Sequence, residues 1–88
     1  MRVSNQVLLR KIAGENILVP IDDMLERFNG IMALNESGLL LWEALQKECT
    51  EEELIQTLLE TYDTDHVTAE KDVREFLKQL EKAEILII

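Results

Sequence analysis

The chain has 88 residues, 47% of them hydrophobic and only 5% aromatic. That bounds it to one domain, residues 1–88, with a core of mostly Leu, Ile and Val and too little chain for a second core. Eighteen acidic residues against nine basic ones give a formal net charge of -9 with no Lys/Arg cluster. Nucleic acids and anionic membrane surfaces are both held through Lys and Arg, so neither is an expected partner.

Cys49 is the single cysteine, which excludes an intramolecular disulfide and fits a reducing compartment. No apolar run approaches the roughly 18 residues of a membrane span, and the first residues lack a signal-peptide pattern. The expected location is the cytoplasm.

Gln6 to Ile12 (QVLLRKI) and Asn16 to Ile21 (NILVPI) are short and rich in branched apolar residues, as strands are. Ala13-Gly14-Glu15 between them is a tight connection in which Gly14 takes positive φ freely, so the pair reads as a β-hairpin. Pro20 lacks an N–H and belongs at a strand end or on an unpaired side. Asp22 to Arg27 is polar enough for a loop or one helical turn. Phe28 to Leu34 (FNGIMAL) reads as a third strand, completing an antiparallel meander, with Gly30 marking a bulge or a close backbone approach.

Three helices follow. Asn35 is a good N-cap for the first, which should run to about Lys47 with Leu41, Trp42 and Leu45 on one face and Gly38 allowing close packing near its start. Thr50 and Glu53 have capping-box spacing and open the second, whose stripe is Leu54, Ile55, Leu58, Leu59 and Tyr62. Asp63-Thr64-Asp65 breaks the pattern. The third should run from Val67 or Thr68 to Lys82, with Val73, Phe76, Leu77 and Leu80 as its stripe. Ile85 to Ile88 is a short apolar tail that adds a strand or caps the core. Strands followed by helices indicate an α+β fold.

Catalytic constellations are sparse. Asp63, Asp65 and His66 offer metal-ligand atoms, but a turn followed by acids at a helix N-terminus explains them more simply. Cys49 has no local base, and His66 is the only histidine. No Gly-rich phosphate loop is present. No cofactor, metal or catalytic residue is assigned, and the chain is not expected to be an enzyme.

The order of these pieces resembles the PqqD-like family. A hairpin containing Gly14, Leu34-Asn35-Glu36 leading to Leu41-Trp42, and Asp72-Val73 leading to Phe76-Leu77 carry the resemblance across nearly the whole chain. It implies a winged helix-turn-helix-like fold, a three-stranded antiparallel sheet followed by three α-helices. It also implies a recognition element for ribosomally synthesised and post-translationally modified peptides. In that family the precursor's leader segment adds a strand to the edge of the third strand and packs on the third helix. Such domains stand alone or are fused to a modifying enzyme. Glu84 departs from the pattern, standing where family members often have Gly after Lys82-Ala83.

Carried onto this chain, the peptide-binding residues are Phe28, Asn29, Gly30, Ile31, Met32 and Ala33 on the strand. On the helix they are Val73, Arg74, Phe76, Leu77, Lys78 and Leu80. Met32 can adapt to an incoming apolar side chain, and Arg74 and Lys78, four apart, can meet acidic leader residues. Each also has an ordinary explanation, since a Val/Phe/Leu/Leu stripe is what a core requires. Strand addition gives about four backbone hydrogen bonds, or roughly 2–6 kcal/mol, against about 8 kcal/mol for micromolar affinity. Side-chain pockets must supply the difference.

The expected function is therefore a non-catalytic peptide chaperone. It binds a precursor leader peptide and presents it to a modifying enzyme, most naturally a radical SAM enzyme. Two rivals stand beside it. A winged-helix DNA-binding protein needs a basic recognition helix, whereas the third helix and the residues just after it set Glu70, Asp72, Glu75, Glu81 and Glu84 against Lys71, Arg74, Lys78 and Lys82. A structural subunit of an enzyme complex also suits a small acidic domain. A homodimer through the open strand edge is compatible with any of these.

Overall fold

The computed structural model describes residues 1–27 and 32–88. Their order is β1 (Arg2–Val3), β2 (Val7–Ile12), β3 (Glu15–Pro20), α1 (Met24–Arg27), β4 (Met32–Leu34), α2 (Glu36–Ala44), α3 (Glu51–Thr61), α4 (His66–Lys82) and β5 (Leu86–Ile87). β2, β3 and β4 form an antiparallel meander in that order, followed by the three longer helices of an α+β fold.

The hairpin register, Val7↔Pro20 to Ile12↔Glu15, leaves Ala13 and Gly14 as a two-residue loop. Both have positive φ, 52° and 83°. That is the sign pattern of a type I′ turn, whose twist suits antiparallel strands. Gly14 adopts it without steric cost, whereas Ala13 is held there by the pairing on either side. Pro20 is the last residue of β3, where its missing N–H breaks no ladder. β4 pairs with β3 as Asn16↔Leu34, Ile17↔Ala33 and Leu18↔Met32. It is the described part of the strand expected over Phe28 to Leu34. Phe28, Asn29, Gly30 and Ile31 lie outside the described residues.

Local capping sets the helix starts. The Gly38 N–H donates to Asn35 Oδ1 at 2.8 Å. The capping box at α3 is complete, with Glu53 N–H to Thr50 Oγ1 at 3.1 Å and Thr50 N–H to Glu53 Oε1 at 3.0 Å. Asp65 caps α4, accepting from the Thr68 N–H at 2.7 Å. Helix α2 is shorter than expected, ending at Ala44 rather than about Lys47. Gln46 and Lys47 bond only three residues back, to Glu43 and Ala44. The Leu45 carbonyl instead accepts from the Val3 N–H at 3.0 Å, so tertiary pairing takes over where the helix would have continued.

That contact belongs to a two-stranded pairing of which only the C-terminal strand is expected from the sequence. The C-terminal apolar tail does form a strand, β5, and its partner is β1, paired as Arg2↔Ile87 and Val3↔Leu86. Ser4 N–H donates to the Ile85 carbonyl at 2.8 Å, and Cys49 N–H to the Met1 carbonyl at 2.9 Å. The pair ties the first residues to the ends of α2 and α4.

The core lies between the sheet and the helices. Leu18 from β3, Leu41 and Leu45 from α2 and its cap, Leu54 and Ile55 from α3, and Val73 and Leu80 from α4 are wholly buried there, with Ile85 beside β5. No described helix is long and apolar enough to cross a membrane.

Candidate functional site

β4 is an edge strand: β3 pairs with one side, and among the described residues nothing pairs with the other. Strand alternation turns Leu34 into the core, 8% exposed, and Ala33 toward solvent. Beside this edge a groove of about 340 Å³ runs between β4 and α4. Ala33 and Leu34 form its strand wall. Asp72, Glu75, Phe76 and Gln79 form its helix wall, at the i, i+3, i+4, i+7 spacing that shares one face of a helix. The first turn of α2 closes the groove with Asn35, Ser37, Gly38 and Leu41.

Gly38 is what lets α2 approach this closely. A Cβ there would lie 3.1 Å from Asn35 Oδ1, 3.4 Å from Phe76 Cε1 and 3.6 Å from Leu34 Cβ. The missing side chain keeps the cap intact and leaves the edge of the Phe76 ring against the floor. Phe76 is only 8% exposed, so it presents a fixed ring edge rather than a mobile side chain.

The expected site residues separate by position. Ala33 and Phe76 line the groove. Met32 and Leu77 are half-buried and pack on the core. Val73 and Leu80 are wholly buried and support the helix wall from behind. Arg74 and Lys78 lie outside the groove, on an adjoining face of α4 with Val67, Glu70 and Lys71. Arg74 is held there, with Nε 3.2 Å from Glu51 Oε1 and Nη1 3.2 Å from Glu70 Oε1. Phe28, Asn29, Gly30 and Ile31 are not among the described residues. Asp72, Glu75 and Gln79 are groove residues that the apolar stripe and the cations Arg74 and Lys78 do not point to. The adjoining polar face of the same periodicity held the signal.

Elsewhere the titratable groups have local explanations. Asp65 is held below the usual carboxylate range by the Thr68 backbone N–H it accepts from, with the Thr68 hydroxyl adding to this. His66 opens α4 with Nε2 3.6 Å from Glu52 Oε1. Burial pushes the Cys49 thiol pKa up, and the Glu53 carboxylate raises it further. Among the described residues no three His, Cys, Asp or Glu side chains are grouped to hold a metal.

A three-stranded antiparallel meander whose β4 edge borders a groove against the last long helix defines an α+β domain. The chain belongs to the PqqD family: the family model described as coenzyme PQQ synthesis protein D matches residues 15–86. Two solved structures share its fold. One, TbiB1 in complex with the TbiA(beta) leader peptide, is 27% identical, with a TM-score of 0.77 over 98% of this chain and 94% of that one. The other, a lasso peptide synthetase B1 complexed with the leader peptide, is 16% identical, with a TM-score of 0.76 over 99% and 96%. No curated protein matches the sequence.

Proposed function

We propose that this chain is a non-catalytic peptide chaperone that binds the leader segment of a ribosomal precursor peptide and presents it to a modifying enzyme. The observation that carries the reading is the open edge of β4 lying directly beside the groove. A free edge offers unpaired N–H and C=O groups to an extended peptide, and a neighbouring groove takes alternate side chains. Membership of the PqqD family and the leader peptides bound to the two similar structures support it.

Backbone pairing contributes only about 0.5–1.5 kcal/mol per hydrogen bond, so the groove has to supply much of the affinity. Ala33, Gly38 and Phe76 are the proposed contacts, together with the strand segment Phe28 to Ile31. Holding the leader keeps the rest of the precursor at high effective concentration near the enzyme's active site. A radical SAM enzyme in the cytoplasm is the proposed recipient. The acidic wall of the groove argues against DNA.

The test is a titration of isotopically labelled chain with the leader peptide encoded beside its gene, followed by amide chemical shifts. Changes concentrated at Met32, Ala33, Gly38 and Phe76 are expected. Changes confined to α3, or none in the folded chain, would contradict the reading.

A further inference from the structure

Past Leu34 the groove continues. A second cavity of about 410 Å³ adjoins it, sharing Asn35, Ser37 and Asp72 and extending to Leu58, Tyr62 and Thr64 around the end of α3. Its apolar surface comes from Leu58 and from the ring of Tyr62, which is 36% exposed. Its border carries two carboxylates, Glu36 and Asp72. Neither makes an ion pair among the described residues. The cations nearest in sequence to Asp72, Lys71 and Arg74, line a different, adjoining face of α4. The N-terminus of α2 would by itself disfavour a cation here. Its Gly38 N–H, however, is already taken by Asn35 Oδ1, and Glu36 in its first turn offsets the dipole.

We propose that this second cavity is a subsite for an arginine or lysine side chain of the bound peptide, one that flanks the strand-paired segment on the Leu34 side. The proposal rests on the leader-binding reading and adds a charge requirement to it. The aliphatic stem lies along Leu58 and Tyr62 while the cationic head reaches Glu36 and Asp72, where charge-assisted hydrogen bonds are available. The exposed Tyr62 ring attracts the same charge. An acidic side chain in this position would face two carboxylates, and an apolar one would cover them without a partner.

Random peptides displayed on phage are selected on the intact chain, and the strongest binders are resynthesised and measured by fluorescence anisotropy. The expected binders carry Arg or Lys beside an extended apolar segment. Replacing that residue by citrulline or norleucine weakens binding roughly ten-fold. Glu36→Gln with Asp72→Asn weakens it about as much, and the two losses do not add, as for partners in one interaction. Because the peptide-side change leaves the protein untouched, it reads the contact even where the protein variant folds poorly. Binders that lack a cation, or that tolerate its replacement, overturn the subsite while leaving leader binding intact. A folded chain that selects no peptide overturns the leader-binding reading and the subsite with it.

Discussion

Glu84 has a φ of 59°, in the left-handed region. It follows the Ala83 cap of α4, and the bonds around it, Ile85 N–H to the Leu80 carbonyl at 2.9 Å and Glu84 N–H to the Glu81 carbonyl at 3.0 Å, make a Schellman motif. Ile85 and Leu80, its flanking apolar pair, are both wholly buried. Their packing holds a non-glycine residue in a conformation that glycine reaches freely. Glu84→Gly should therefore stabilise the chain by about 0.5–1 kcal/mol and raise Tm by a few degrees in thermal melts. The resemblance marked this position as one where Gly is usual; the φ angle supplies the reason. Asp65 gives a pH signature. Its folded pKa is depressed by the Thr68 N–H, so its contribution is complete above the unfolded value of about 3.9 and lost as pH falls through the lower folded value. Asp65→Asn keeps a capping oxygen but does not titrate. Melts between about pH 5 and about pH 2.5 should then show a shallower acid loss for the variant.

Among the elements, those whose ends are set by local chemistry were legible in the sequence. The caps at Asn35 and Thr50, the hairpin at Gly14 and the stripe of α4 all depend on residues a few positions apart. What escaped depends on distant partners. β1 is two residues long, too short to carry a period, and exists because Leu86 and Ile87 lie opposite it. The early end of α2 has the same origin, in the Val3 bond to Leu45. The groove belongs to this second kind, since its walls come from β4, α2 and α4 together. Ala33 and Phe76 could be anticipated from strand and stripe, whereas the outward turn of Arg74 depends on Glu51, 23 residues away. Gly38 joins the two kinds, being a local helix residue with a distant neighbour in Phe76. Gly38→Val should press on Asn35 Oδ1 and Phe76, lowering stability by roughly 1–3 kcal/mol in urea unfolding. It should also narrow the groove, so that peptide affinity falls more than the stability loss alone would explain.

Across the whole molecule, the radius of gyration of 12.8 Å is close to the roughly 12 Å of a compact chain this long, so the hairpin and the helices share one packed body. Charge is sorted unevenly around α4: Asp72 and Glu75 face the groove, while Lys71, Arg74 and Lys78 line the adjoining face with Glu70. Glu75 borders both faces. Composition alone gave only the total and excluded nucleic acid as an expected partner. The sorting of charge about the helix axis gives the groove its acidic wall. An acidic groove next to an open strand edge favours extended peptides with basic side chains over polyanions.

The most direct test of this account is calorimetric titration of the intact chain with the leader peptide encoded beside its gene. Saturable one-to-one binding at about micromolar Kd or tighter is the predicted result, an affinity that strand pairing and groove contacts reach only together. A well-folded chain that gives no binding heat across several temperatures would contradict it, and would point instead to a subunit whose role is to complete an enzyme complex.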